Sequence, residues 1–248
     1  RATIMRKALL LLVVLAGFLT ACENKYKDPD PVVMGYDYYP LEVGDYRVYN
    51  VTDIRYFSPI GDTSRFQIRE RVDTSFYDQT GQLVYKIIRS KRPSPTVSWQ
   101  DDSVMTVAKN ERMVVLTKDN TRYIKLVFPV KSGLEFIGDM YNMRTVAEGS
   151  ASKVSMNKEV YTIQSVGESY EVNGQTYPVT ATVLQNFSSL GTMLDDRFEV
   201  YAEGIGLVHR VFTRINYETC QSGAGCVDGS RISDGHDRKE ILIEHGKL

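Results

Sequence analysis

The stretch "RFQIRERVDTSFY", residues 65–77, decides the fold. Phe66, Ile68, Val72 and Phe76 fall on one side of a period-two alternation, with Arg65, Gln67, Arg69, Arg71 and Asp73 on the other. Successive side chains of an extended chain point to opposite faces, so the pattern predicts a half-buried strand, one face in a core and one in water. Residues 197–203 repeat it, with Phe198, Val200 and Ala202 assigned to the core and Arg197, Glu199 and Glu203 to solvent. Weaker strand patterns occupy residues 46–57, 83–89, 97–108, 113–117, 123–128, 160–170, 175–185 and 207–217, and a short last one lies at 240–244. The 16 Tyr and 9 Phe against 1 Trp add to the preference for sheet.

Turn chemistry falls between these runs. Asn173-Gly174 is the strongest hairpin signal, because a type I′ turn needs φ > 0 at both central residues. Asp119-Asn120 and Thr80-Gly81 serve in the same way. Apolar residues at 3.6 spacing are lacking after the first residues, although a short helix is admitted near residues 188–194. The expectation is an all-β fold: an antiparallel meander sheet, curved as a half-barrel or a sandwich. A faint echo links Tyr39-Pro40-Leu41-Glu42-Val43-Gly44 to Phe128-Pro129-Val130-Lys131-Ser132-Gly133, which would divide the domain into two similar halves meeting near Val127.

The start of the chain has a different character. Arg6 and Lys7 follow Met5, residues 9–19 are apolar apart from Gly17, and Leu19-Thr20-Ala21-Cys22 comes next. An apolar run of about 11 residues is too short for a membrane-spanning helix, which needs ~20, and fits the core of an export signal. The four residues ending in Cys22 resemble the lipobox of bacterial lipoproteins. The resemblance implies a signal peptide over residues 1–21 and a mature protein that begins at Cys22. It further implies a diacylglyceryl thioether on that thiol and an acyl chain such as palmitate on the new amino terminus. Residues 22–35 then form the lipidated cysteine and a tether, and residues 36–248 the β-rich domain. Lys27-Asp28 resembles the charged sequence that carries some Bacteroidetes lipoproteins to the cell surface. "YYPLEVGDYRVYNV" (residues 38–51), "LVFPVKSGLEFIGDMYN" (126–142) and "EVYAEGIGLVHRVF" (199–212) are similar to recurring segments of uncharacterised Bacteroidetes envelope lipoproteins. Their usual Trp after the first Gly motif is absent, for Arg47 stands in that region and the one tryptophan is Trp99. These resemblances imply a β-rich envelope domain, on the periplasmic face or the cell surface of the outer membrane.

With Cys22 acylated, Cys220 and Cys226 remain as an even pair in an oxidising compartment, and a disulfide between them is expected over free thiols or a metal. Residues 1–21 hold Arg1, Arg6 and Lys7 and no acid, so 27 basic and 31 acidic residues remain after their removal. There is no basic stripe, and nucleic acid is not expected as a partner.

Chemistry is sparse. The chain has 3 histidines and no G-x-S-x-G, H-E-x-x-H or Walker-type glycine loop. Ser150-Ala151-Ser152-Lys153 and Ser155-Met156-Asn157-Lys158 fit S-x-x-K without the partner motifs of penicillin-interacting enzymes. His209 reads as a packed strand residue, and His236 and His245 as part of a polar tail. Asp234, His236 and Asp237 in "SDGHD" lack calcium-loop spacing. Asp101-Asp102 and Asp195-Asp196 read as solvated strand ends, and Asp102-Ser103-Val104 resembles the O-glycosylation acceptor of exported Bacteroidetes proteins. The expectation is a lipid-anchored, non-enzymatic binding or scaffolding protein with no cofactor or metal. Its partners are the membrane, through the anchor, and a protein or hydrophobic ligand. The alternatives are a carrier of lipid or other hydrophobic cargo in a curved sheet, and a hydrolase with a site dispersed along the chain.

Overall fold

The computed structural model describes residues 30–57, 60–142, 144–148, 151–155, 158–219 and 227–248. A helical turn, α1 (Pro31–Met34), and a 3-10 turn (Tyr36–Tyr38) precede the strands. Met34 and Tyr36 of these turns pack on the core. The first group of strands is β1 (Asp45–Phe57), β2 (Ile60–Tyr77), β3 (Leu83–Arg92), β4 (Gln100–Lys109), β5 (Met113–Lys118) and β6 (Thr121–Val127). The second is β7 (Glu135–Ile137), β8 (Arg144–Glu148), β9 (Ala151–Ser155), β10 (Val160–Val172), β11 (Gln175–Leu190), β12 (Met193–Ala202), β13 (Gly206–Thr219) and β14 (Val227–Lys247).

Twelve strands form one antiparallel sheet in the order β6-β5-β4-β3-β2-β1-β14-β13-β12-β11-β10-β7, and β8 and β9 pair separately. That order is a circular meander opened between β6 and β7, so the sheet is nearly closed into a barrel. One backbone hydrogen bond crosses the opening, Ile124 N–H donating to Gly138 O at 2.8 Å, while Gly138 N–H continues the β7–β10 pairing by donating to Glu159 O at 2.9 Å. The expected all-β meander is therefore the fold found.

The predicted turns hold, with positive φ at Asp119, Asn120, Asn173, Gly174 and Gly81. Two elements differ from expectation. Residues 188–194 are not helical but form the end of β11, a turn at Gly191-Thr192 and the start of β12. The last strand is not a short run at 240–244: β14 has 21 residues and pairs with β1 on one side and β13 on the other.

The largest correction concerns β12. Its period-two alternation is real, but Asp195, Arg197 and Glu199 are buried, not solvated. Glu199 meets Lys125 of β6, a strand not adjacent to β12, so the contact crosses the lumen. On the other face Val200 is also buried, and Phe198 packs edge-on against His209. A barrel of twelve strands is wider than apolar side chains of modest length can fill, because diameter grows with strand number. Long charged side chains meeting as ion pairs, together with Tyr49, Tyr201 and aliphatic groups, occupy the middle instead.

Candidate functional site

The lumen holds a chain of ion pairs. Glu199 of β12 accepts hydrogen bonds from Lys125 Nζ at 2.5 Å, Arg210 Nε at 2.7 Å and the Tyr201 hydroxyl at 2.5 Å. Arg210 also donates to Glu240 of β14 at 2.7 Å, and Glu240 further accepts from Arg89 at 3.2 Å and from Arg238 Nε at 2.8 Å. Arg238 extends the chain to Asp53 at 2.9 Å, which also accepts from His236 Nε2 at 2.7 Å. Burial pushes both glutamates up, but the surrounding cations and hydrogen bonds outweigh it and hold each carboxyl at about 2. For Glu199 the chief opposing charges are Lys125 and Arg210, and for Glu240 they are Arg210, Arg89 and Arg238. A second cluster binds Asp195 to Arg197 at 2.6 Å and to Arg214 at 2.9 Å, with Glu159 against Arg197 at 3.0 Å.

Next to this network lies a cavity of about 70 Å³, lined by Tyr39, Tyr49, Glu70, Arg89, Lys125 and Arg210 among others. A second space of about 300 Å³ opens at the barrel end carrying the β1–β2 hairpin, and Arg89 and Lys118 line both. In this second space Lys91 lies over the Phe66 ring at 3.9 Å, with Arg238 over the same ring at 5.5 Å.

The residues singled out by sequence do not converge. Cys22, Cys220 and Cys226, and with them the lipidation and disulfide expectations, lie outside the described residues. His209 is buried, with Nδ1 2.6 Å from the Tyr170 hydroxyl; burial, reinforced by Lys239, pulls its pKa down to about 4. His236 belongs to β14 and is paired to Asp53, so it is no part of a free tail, whereas His245 is exposed. Asp101 and Asp102 are exposed, as expected of a strand end, but Asp195 is buried in the second ion cluster. Lys158 of the second S-x-x-K donates to the backbone carbonyls of Met140 and Asn142 at 3.1 and 2.6 Å. Among the described residues no group of three or more His, Cys, Asp or Glu is placed to hold a metal ion.

Sequence reasoning passed over Glu70, Arg89, Lys118, Lys125, Arg210 and Glu240. One signal was present: Glu70 has the same parity as Phe66, Ile68 and Val72, and Arg89 the same parity as Ile87. A charge in register with the apolar face of a strand points into the interior.

No family model matches the chain, and no curated protein matches it. Among solved structures, the chain is similar to one described as a "putative lipoprotein" from Parabacteroides distasonis, at 9% identity and a TM-score of 0.37. The match covers 84% of this chain and 98% of that one.

Proposed function

We propose that the protein is a lipid-anchored, non-enzymatic binding protein of the bacterial envelope, in which the barrel is a rigid scaffold. The observation that carries the reading is the ion-paired lumen. Glu199 and Glu240, at about 2, are anionic across the physiological range, and their oxygens are engaged by Lys125, Arg210, Arg89 and Arg238. A general acid or base works best with a pKa near the operating pH and a proton path to substrate. These carboxylates are spent on holding the scaffold together. An inner cavity of about 70 Å³ also offers an acyl chain too little room. The anchor rests on the lipobox at Cys22.

Cells producing the wild type or Cys22→Ser are fed a clickable fatty acid and fractionated. Label and membrane association are expected for the wild type and absent from the variant; equal labelling of both defeats the anchor. Native mass spectrometry of the envelope-purified chain reads the binding role. A small polar adduct supports it, and an acyl-chain adduct shifts the reading to a carrier.

A further inference from the structure

Of the cations at the open end of the barrel, one stands without a partner and a second is only partly engaged. Arg89 is 5% exposed and forms ion pairs with Glu240 at 3.2 Å and Glu70 at 3.4 Å, but its buried Nε has no hydrogen-bond partner. Lys118, half-buried at the end of β5, has no ion pair or hydrogen bond to its ammonium among the described residues. The charges around it include Arg89, Arg238 and Arg210, which repel it, and Asp119, which attracts it. Buried charge is costly unless it is paired, so a half-buried, unpaired Lys118 set among like charges favours an anion beside it.

The pocket that both cations line has room for one. Its volume of about 300 Å³ is at the lower end of the range for small-molecule sites. Five of its lining residues are cations: Arg55, Arg89, Lys91, Lys118 and Arg238. Three are acids, and of these Asp53 is already taken by Arg238 and His236, while Asp62 and Asp102 sit exposed on the rim. Lys91 and Arg238 both lie over the Phe66 ring, which lines the pocket. We propose that this mouth binds a small soluble oxyanion, a carboxylate or a phosphate, with its charged end seated between Lys118 and Arg89 and with Lys91 at the rim. The fork of N–H donors on a guanidinium suits a planar or tetrahedral oxyanion, and a nearby ammonium adds a compact second charge. The proposal rests on the reading of the barrel as a binding scaffold and names the class of ligand it takes.

The test is calorimetric titration of the purified full chain with citrate and with inorganic phosphate at rising NaCl. At least one is expected to bind, more weakly as salt rises, and to raise the melting temperature by mass action. Lys118→Met should weaken that binding about tenfold, the loss of one charge-assisted hydrogen bond, while Lys118→Arg keeps most of it. Without ligand, Lys118→Met should melt no lower than the wild type, because it removes an unpaired charge among like charges. Should it fold poorly, Lys91→Met is read in its place. If neither anion binds, or the variant that removes the cation binds as the wild type does, the oxyanion site is overturned. That failure leaves the fatty-acid labelling and the envelope adduct unaffected, so the two readings fail separately.

Discussion

Glu199 is the residue on which the interior turns. It is 1% exposed and charged, which is tolerable only because Lys125, Arg210 and Tyr201 all point at it. A carboxyl at about 2 in the folded state, against about 4.3 in an unfolded chain, stabilises the fold fully above the unfolded value. That stability is lost as pH falls through the folded one. Glu240, also at about 2, adds a contribution of the same sign in the same window. His209 acts earlier: a histidine held down to about 4 takes up its proton more readily when unfolded, so stability falls from about pH 6.5 towards 4. The wild type should therefore weaken in two stages on acidification. Glu199→Gln removes one partner of a buried pair and should cost about 3 kcal/mol at pH 7. It should also make the lower stage, between about pH 4.3 and 2, shallower than in the wild type. Urea midpoints measured across pH check both; an unchanged lower stage means that Glu199 is not held as the contacts suggest.

Among the elements, the apolar alternation of β2 was legible and β14 was not, and the difference is physical. Phe66, Ile68 and Val72 announce which face of β2 is inside, and Ile68 and Val72 are indeed buried. In β14 the inward Arg238 and Glu240 alternate with Asp237 and Lys239, so charge follows charge and "SDGHDRKE" reads as a tail. In β12 the reason differs: its charged residues alternate with apolar ones as in a half-buried strand, but both faces are buried. The positions within β14 are nonetheless demanding. Gly235 pairs with Tyr56 of β1 and with Ile215 of β13, and its φ is 154°. A Cβ there would stand 2.5 Å from the Arg214 carbonyl oxygen and 2.8 Å from Ile215 Cα, backbone atoms that cannot swing aside. Gly235→Ala should accordingly cost about 2 kcal/mol and lower the melting temperature. Gly191→Ala, in the β11–β12 turn with no heavy atom within 4 Å of a Cβ, should be close to neutral. Equal melting of the two variants would show that the β13–β14 pairing is looser than its register implies.

At the scale of the molecule the question is how a meander becomes a barrel without a full last pair of strands. Sequence patterning gives strands and hairpins, which are local, but closure depends on β1 meeting β14 across the whole chain and on β6 approaching β7. No periodicity encodes either. The seam between β6 and β7 rests on Gly138, whose N–H and carbonyl reach Glu159 and Ile124 on opposite sides. It needs a glycine because the Tyr161 ring lies across it: a Cβ at Gly138 would fall 2.1 Å from a ring carbon. Tyr161 is itself 3% exposed and packed edge-on against Phe136 at 5.7 Å between centroids, so it has little freedom to retreat. Gly138→Ala should therefore separate the two edges while leaving the hairpins intact. Strand edges freed in this way present unpaired N–H and C=O groups and invite association between chains. Hydrogen exchange followed by mass spectrometry should show peptides of β6 around Ile124 losing protection, with β1 and β14 unchanged, and with dimers or larger species growing as concentration rises. If protection at Ile124 is retained and the variant stays monomeric, the barrel is closed by its filled interior and not by the Gly138 seam.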